Sequence, residues 1–527
     1  MSSQTFEVRP TGRLPQRIRA AGRVLVVPFV IVVFAMNVAG GPSHGSITRP
    51  PASDAEIAAF VADQVRDTGI PGASLAIVRD GQASSTAAFG TADSSGRPMT
   101  ADTPIVIGSV SKPVTATAVL QLVDEGRIDL DAPVHRYLPD FTLATPTAAA
   151  AITVRELLDQ TSGISTAAGE RPLGYPATDL ASQIHALADV VPASAPGIAY
   201  AYSNANYLIL GLLVERVSGQ PYGGYIEDHI FGPLAMIHAS ADRATAVANG
   251  LSEAHRLWFG LPREVSPLDR PDLVPAGFLA ASASDLGRFV AAQVDGGTLD
   301  DRRILSASAT TEMQRGVMSM GLGNPGQYGL GWADARLGDV RMVGHVGSTT
   351  DMASAVFFSP EQRFGVVILL NGQSTLYELA HKPDLIGMAA FAMLAGREPD
   401  GTIAFLYPAF DVVTVLALGW IGWRLLRTIR RLRRGDPVAP RLLGNRWLGA
   451  VVAIWLNAII PFELMVLVPN LLAAPWSTLV RIDLGQVLFA FALLRFATGI
   501  VLAIAAGRVI RARWSARTGR AGRVMAA

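Results

Sequence analysis

The sequence predicts an α+β fold, an antiparallel sheet with flanking helices, followed by a three-helix transmembrane bundle. Two strand-like stretches near residue 80 and four more between residues 328 and 371 enclose a region of helical periodicity. Strands at both ends of a domain, with helices between them, favour a sheet covered by helices. Three long apolar stretches close the chain after residue 402, and each is long enough to cross a bilayer.

The elements of the domain are predicted from apolar periodicity, caps and turn residues. Helices are expected from Asp54 to about Thr68, from Ser109 to Gly126, over residues 153–159, from Asn206 to Ser218 and from Ser284 to Asp295. Strands are expected at Ala73–Ile77, at Gln82–Gly90 and within residues 328–336, 340–347, 351–359 and 363–371. Asp80-Gly81 is a hairpin turn signal between the first two strands.

Composition excludes several classes of site. The chain has no cysteine, which rules out disulfides, thiolate metal sites and a cysteine nucleophile. Its eight histidines are scattered, so we expect no histidine-rich metal site and no metal or other cofactor. The formal net charge is +1, which gives no reason to expect a nucleic-acid partner.

Arginines beside the apolar stretches predict the membrane topology. Residues 24–40 follow an arginine-rich segment and are either a long secretory signal or a retained anchor. The C-terminal spans are expected at about Ile403–Trp423, Trp447–Val468 and Leu484–Ala506. Many arginines follow the first and third spans, and such loops stay in the cytoplasm. We therefore expect a multi-pass protein of the cell (inner) membrane, with a basic segment and anchor at 1–44, an extracytoplasmic domain at 45–400, and membrane helices with a cytoplasmic C-terminus at 401–527.

Three ionisable residues fall inside these spans: Asp411, Glu463 and Arg495. Charged groups in hydrocarbon usually pair or face a cavity. Asp411 and Arg495 are at similar depths, so an interhelical ion pair is one interpretation and a role in guiding substrate or lipid is the other. Glu463, near the outer end of its helix, is a candidate for snorkelling into the headgroups.

A serine and a rare lysine form the first chemical motif. The chain has only two lysines, Lys112 and Lys382, and Lys112 follows Ser109 by three positions. Arginine stays protonated at accessible pH, whereas burial can make a lysine neutral. Residues at i and i+3 share a helix face. The spacing therefore predicts that the Lys112 amine activates the Ser109 hydroxyl as a nucleophile.

Two further motifs supply partners for this pair. Tyr202-Ser203-Asn204 offers a phenol that could be partly ionised beside a lysine and so shuttle the serine proton. Asn204 offers an amide to bind the substrate backbone or orient the lysine. His345-Val346-Gly347-Ser348 is predicted to form a strand beside the site, where Gly347 allows close approach of substrate. The Ser348 N–H, with that of Ser109, would form an oxyanion hole.

The combination resembles a known family. Ser-x-x-Lys is a signature of β-lactamases and penicillin-binding proteins, and with Tyr-x-Asn and His-x-Gly the chain looks like the class C β-lactamase-related serine hydrolases. Residues 107–141, 152–164, 202–222, 275–289 and 344–348 look like family segments. The resemblance covers roughly residues 55–395. It implies a β-lactamase/DD-peptidase-like sheet domain with a helical region, and an acyl-enzyme on Ser109.

Departures from the family pattern narrow the expected activity. Gln160 stands where many members have histidine, which we interpret as structural variation. Val346 replaces the threonine of Lys-Thr-Gly, whose hydroxyl helps β-lactamases to hold the antibiotic carboxylate. Val346 therefore favours a peptidase or esterase. Asp351 is a candidate specificity contact, with a solvated turn residue as the favoured alternative.

Three functions stay open at this point. The first is a membrane-bound serine peptidase that cleaves amide bonds next to D-amino acids, in a prodrug cap or a cell-wall-type peptide. The layout is similar to that of membrane peptidases that unmask nonribosomal peptide prodrugs. The second is an esterase or β-lactamase. The third is a peptidoglycan- or drug-binding sensor without turnover. Each takes a peptide or small acyl substrate as its partner, together with the lipid bilayer.

Overall fold

The computed structural model describes residues 49–174, 177–258, 261–266, 269–321, 326–374, 382–399, 406–434, 457 and 483–524. These residues fall into two compact units, one containing residues 49–399 and the other containing most of two long helices near the C-terminus. The apolar segment at 24–40 lies outside the described residues. So does the second predicted span, at 447–468, apart from Asn457.

An antiparallel sheet forms the framework of the larger unit. Eight strands are ordered β2-β1-β14-β13-β12-β11-β10-β9, and all neighbouring pairs are antiparallel. This confirms the predicted sheet. The described strands are β1 (Gly72–Arg79), β2 (Gln82–Gly90), β3 (Ile105–Val106), β4 (Ala254–Trp258), β5 (Leu261–Val265), β6 (Ala280–Ala281), β7 (Thr298–Leu299), β8 (Arg302–Arg303), β9 (Met318–Ser319), β10 (Gln327–Tyr328), β11 (Ala333–Leu337), β12 (Val340–Ser348), β13 (Ala353–Ser359), β14 (Phe364–Leu370) and β15 (Gly372–Gln373).

Most of the described α-helices lie between β3 and β9, as predicted. Ser53 and Glu56 form a capping box at the start of the first helix, which runs to Thr68 as expected. The described α-helices are α1 (Asp54–Thr68), α2 (Ser111–Asp124), α3 (Pro146–Ala151), α4 (Val154–Leu158), α5 (Thr166–Gly174), α6 (Leu180–His185), α7 (Asn204–Ser218), α8 (Tyr222–Ile226), α9 (Arg243–Ala248), α10 (Ala283–Val294), α11 (Ala307–Gln314), α12 (Lys382–Leu394), α13 (Leu406–Arg433) and α14 (Asp483–Val524).

Both faces of the sheet are covered. Successive side chains of a strand point to opposite faces, and β13 shows what each face meets. On one face, a Cβ at Gly387 of α12 would touch Ala355 and Phe357. On the other face, Phe358 makes an edge-to-face contact with Trp332, and Trp332 also contacts Phe289 of α10. Because helices lie on both faces, every residue of β13 and β14 is buried.

The predicted start of the second helix is wrong by two residues. Gly108–Val110 form a 3₁₀ turn, and α2 begins at Ser111 and ends at Asp124. Gly108 has φ +55° and lies against β12, where a Cβ would be 2.5 Å from the Ser348 nitrogen. The contact between the turn and the strand therefore requires glycine at this position. Ser109 is held in the turn rather than in the helix.

The C-terminal unit contains two long helices. Residues Phe489–Arg508 of α14 are the described segment that is long and apolar enough to cross a membrane. The first predicted span lies in α13 from Leu406 onward, and its first three residues are outside the described ones. α13 and α14 meet where Arg508 donates to the Leu432 carbonyl. Large apolar side chains on both helices are exposed, among them Leu416 and Leu493.

The ion pair expected between Asp411 and Arg495 stays a prediction. The Asp411 side chain and the whole of Glu463 lie outside the described residues. The Arg495 guanidinium lies 5.8 Å from the centre of the Phe491 ring.

Candidate active site

The amine of Lys112 is the centre of the site. Lys112 is completely buried, and its Nζ lies 2.9 Å from Ser109 Oγ, 2.7 Å from Asn204 Oδ1 and 2.6 Å from the Ala276 carbonyl oxygen. These groups come from the turn before α2, from the start of α7 and from the π-helix Val274–Phe278. The structure thus brings Ser109, Lys112 and Asn204 together as the sequence predicts.

The contacts of Lys112 define where its proton-accepting lone pair points. A neutral amine has two N–H groups and one lone pair, whereas carbonyl oxygens only accept. Asn204 Oδ1 and the Ala276 oxygen therefore take both N–H groups, and the lone pair faces the third neighbour, Ser109 Oγ. In that state the serine hydroxyl donates to Lys112, which is the arrangement that a general base requires.

Burial makes the neutral state of Lys112 accessible near neutral pH. Removal of the amine from water lowers its pKa to about 7, and the charge of Glu170 opposes this change by favouring the ammonium form. Desolvation disfavours the charged form of any buried group. Near pH 7 a substantial fraction of Lys112 is therefore unprotonated and able to accept the Ser109 proton.

This pKa gives a direct spectroscopic prediction. In protein labelled with [¹³Cε]lysine, Lys112 and Lys382 give the two lysine signals, because the chain has no other lysine. The Lys112 signal is expected to titrate at about pH 7. Acylation of Ser109 should fall about tenfold per pH unit below that midpoint, since the protonated amine has no lone pair. A Lys112 signal that stays protonated to pH 9 would contradict the base role.

Tyr202 lies beside the serine and the lysine. Its hydroxyl is hydrogen-bonded to Ser109, and the Lys112 Nζ is 4.8 Å from the centre of its ring. The expectation of a partly ionised phenol is wrong, because burial raises the pKa of Tyr202 well above its usual value. A lysine that is itself half neutral gives too little charge to offset that burial. Tyr202 is therefore present as a neutral phenol that donates or relays a proton.

The end of β12 lies against the turn that carries the nucleophile. β11 pairs with β12 only as far as Gly344, so one edge of residues 345–348 is left facing the turn. A Cβ at Gly347 would be 2.0 Å from the Ile107 oxygen and 3.0 Å from the Ser109 nitrogen. Together with the contact between Gly108 and the Ser348 nitrogen, this places the Ser109 and Ser348 backbones on adjoining segments, as an oxyanion hole requires.

His345 is present in its neutral form. Burial lowers its pKa to about 3, and the charge of Lys112 acts in the same direction. Its Nδ1 lies 2.6 Å from the Val346 oxygen and its Nε2 lies 3.1 Å from the Tyr328 hydroxyl, so Nδ1–H donates and Nε2 accepts. With both ring nitrogens engaged, His345 shapes the wall of the site and supplies no positive charge there.

Two residues of the site were not identified from sequence. Glu170, on α5, accepts from Asn204 Nδ2 at 3.0 Å. Gln160, interpreted as structural variation, accepts from the Ser203 N–H at 2.9 Å and from Asn206 Nδ2 at 2.7 Å. It therefore holds the Tyr202-Ser203-Asn204 segment in place. No local pattern marks Glu170, and the sequence around Gln160 does not reveal its partners, because both residues act across long separations in sequence.

Asp351 is buried, so the favoured interpretation as a solvated turn residue is wrong. It accepts from the Thr349 hydroxyl at 2.6 Å, and Arg256 of β4 is 4.0 Å away. Burial raises the pKa of its carboxyl. Arg256, on the β4–β5 hairpin that was not predicted, also donates to the Thr350 hydroxyl at 3.1 Å.

Comparisons with known proteins match residues 57–390 to the Beta-lactamase family. The chain is 31% identical over 318 residues to penicillin-binding protein 4 of Amycolatopsis lactamdurans, covering 58% of this chain and 81% of that protein. The octameric penicillin-binding protein homologue from Pyrococcus abyssi superposes with a TM-score of 0.57 at 25% identity, over 69% of this chain and 82% of that one.

A D-stereospecific amidohydrolase from Streptomyces sp. has a TM-score of 0.52 at 26% identity, over 63% of this chain and 98% of that structure. Sequence and fold agree over the same domain, the one that holds Ser109 and Lys112. The chain therefore belongs to the Beta-lactamase family and is a serine hydrolase of the penicillin-binding-protein type.

Proposed function

We propose that this protein is a membrane-bound peptidase that cleaves amide bonds next to D-amino acids through an acyl-enzyme on Ser109. The observation that carries the proposal is the environment of Lys112. Its two acceptors direct the lone pair at Ser109 Oγ, 2.9 Å away, and its pKa is about 7. A neutral base held against a serine hydroxyl activates a nucleophile, which a protein that binds its ligand without acylation does not need.

The chemical steps follow from this geometry. Ser109 Oγ attacks the substrate carbonyl while its proton passes to Lys112 Nζ. The oxyanion that forms is stabilised by the Ser109 and Ser348 N–H groups. The C–N bond then breaks, and the leaving amine takes a proton from the Tyr202 hydroxyl, which is bonded to Ser109. Lys112 returns the serine proton to Tyr202, so that both groups are neutral again. Water hydrolyses the acyl-enzyme by the same transfers in reverse order, which frees the acid and regenerates Ser109.

The wall of the site supports a peptide rather than a β-lactam substrate. His345 is neutral and Val346 has no hydroxyl, so this part of β12 offers neither a cation nor a donor side chain to a carboxylate. The Streptomyces relative is named a D-stereospecific amidohydrolase, which supports D-residues next to the cleaved bond. An N-acyl-D-amino-acid amide, as found in a prodrug cap or a cell-wall-type peptide, fits both observations.

A hydrolysis panel tests the substrate class. Full-length protein in detergent is given matched N-acyl-D-peptides, N-acyl-L-peptides, simple esters and a chromogenic β-lactam. We expect turnover of the D-peptides to exceed that of the L-peptides by at least about 10²-fold, because the wrong enantiomer misplaces the carbonyl. Ser109→Ala should abolish it. Preferred ester or β-lactam turnover would favour the alternative enzymes, and acylation without turnover would favour the sensor.

Membrane attachment is part of the proposal. Residues Phe489–Arg508 are long and apolar enough to span a bilayer, and apolar side chains of α13 and α14 are exposed. Trp420 and Trp423 of α13 lie next to Arg424 and Arg427, with the guanidinium groups 4.8 and 5.2 Å from the ring centres. Aromatic and basic residues together are typical of the cytoplasmic membrane interface. The hydrolase domain would then lie on the extracytoplasmic side, with the C-terminus in the cytoplasm.

The absence of cysteine makes this topology easy to test. Ser308 is exposed in the hydrolase domain, and Ser515 precedes the C-terminus by 12 residues. A membrane-impermeant maleimide should label Ser308→Cys in intact cells or spheroplasts. It should label Ser515→Cys only after permeabilisation, because the bilayer excludes the charged reagent. The reverse pattern would contradict the proposed orientation.

A further inference from the structure

The carboxylate of Glu170 ends a chain of hydrogen bonds that leads to the nucleophile. Glu170 Oε1 accepts from Asn204 Nδ2 at 3.0 Å, and Asn204 Oδ1 accepts from Lys112 Nζ at 2.7 Å. Lys112 in turn contacts Ser109 Oγ at 2.9 Å. We infer that Glu170 is a positioning residue, which orients the Asn204 amide and thereby directs the Lys112 lone pair at Ser109. The catalytic part of this inference rests on the proposed function.

The donors and acceptors of each group determine the orientation of the Asn204 amide. An ionised carboxylate only accepts, so Glu170 must face the NH₂ end of the Asn204 amide. The amide oxygen must then face Lys112 and occupy one of its N–H groups. If the amide were turned around, its NH₂ would compete for the Lys112 lone pair. Glu170 thus excludes the one amide orientation that would disable the base.

Glu170 also acts on the lysine through its charge. Burial raises the pKa of Glu170, and the charge of Lys112 opposes that rise by favouring the carboxylate. The charge of Glu170 in turn favours the ammonium form of Lys112. The other ionisable groups that face Lys112 are uncharged: Tyr202, Tyr207 and His345. Among the described residues, Glu170 is therefore the carboxylate whose charge opposes the lowering of the Lys112 pKa by burial.

Charge-neutral variants separate this role from mere packing. Glu170→Gln keeps the shape but removes the charge, and its amide can pair with Asn204 in either orientation. The midpoint of the Lys112 [¹³Cε] signal should move to lower pH by about one unit, as expected when a nearby opposite charge is lost. Acylation by a fluorophosphonate at high pH should also slow by about tenfold or more, because the lone pair is no longer aimed.

Glu170→Asp and Glu253→Gln are the matched controls. Glu170→Asp keeps the charge, so its Lys112 midpoint should stay within a few tenths of a unit of the wild-type value. Glu253→Gln removes a carboxylate that bonds to Ser94 at the surface, so its midpoint should not move. Glu170→Ala is a second charge-free variant. If Glu170→Gln does not unfold in a cooperative thermal transition, the Lys112 midpoint is measured in Glu170→Ala instead.

The role of Glu170 can be tested even if the proposed peptidase activity is wrong. The Lys112 signal is read directly, with Lys382 as the internal reference, and requires no turnover. A lower midpoint together with slower acylation supports the inference. An unchanged midpoint in the charge-free variants overturns it, even if acylation slows, because packing alone would then explain the loss. Should Ser109 prove not to be the nucleophile, the titration still reports whether Glu170 acts on Lys112.

Discussion

Lys112→Ala is expected to slow acylation of Ser109 by about 10²–10⁴-fold, the usual contribution of a general base. The mutation removes the group that takes the serine proton, while the Ser109 and Ser348 backbones stay in place. The rate constant for labelling by a fluorophosphonate measures the effect. Lys112→Arg should not restore the rate, because a guanidinium stays protonated at accessible pH.

The second lysine provides the control for this result. Lys382→Ala removes the other lysine of the chain, at the first residue of α12, and is expected to leave the labelling rate unchanged. Thermal unfolding of each variant checks that the fold is kept. If Lys112→Ala folds and is labelled at the wild-type rate, Lys112 is not the base.

Gly347→Ala is expected to lower activity by at least about 10²-fold and stability by about 1–3 kcal/mol. The new Cβ would lie 2.0 Å from the Ile107 oxygen and 2.4 Å from Ser354 Oγ. Two of its three nearest neighbours are backbone atoms, so the end of β12 must move away from the turn that carries Ser109. The oxyanion donors would separate as a result. Labelling kinetics and thermal unfolding measure the two losses.

Gly224→Ala is the matched control for this substitution. Gly224 lies in α8, and a Cβ there would meet nothing within 4 Å. Alanine is a better helix former than glycine, so stability should be unchanged or slightly higher and activity unchanged. Wild-type labelling of Gly347→Ala would show that the approach of β12 to Ser109 is not needed for catalysis.

The residue types of the site could be predicted from the sequence because few side chains can serve as a nucleophile or as its base. Lys112 Nζ contacts both Ser109 Oγ and Asn204 Oδ1, although the three residues lie on different elements. What the sequence did not reveal is their charge state. Tyr202 was expected to be partly ionised because of a nearby cation, but the burial that makes Lys112 partly neutral also keeps Tyr202 protonated.

Features that depend on tertiary contacts were predicted less well. The strands and helices with clear periodicity were found, but the start of α2 was not, because the turn at Gly108 is imposed by contact with β12. Glu170 and Gln160 were missed as site residues for a similar reason. Their partners are 34 and 43 positions away, and the neighbouring sequence does not reveal which residues they contact.

Mapping the fluorophosphonate adduct shows whether Ser109 is an activated nucleophile. Wild-type protein in detergent is labelled at pH 8, digested, and the modified residue is identified by mass spectrometry, beside Ser109→Ala. The account predicts one adduct, on Ser109, that is absent from the variant. An adduct on another residue, or an unlabelled wild-type protein that is correctly folded, would contradict an activated serine at the end of the Lys112 hydrogen-bond network.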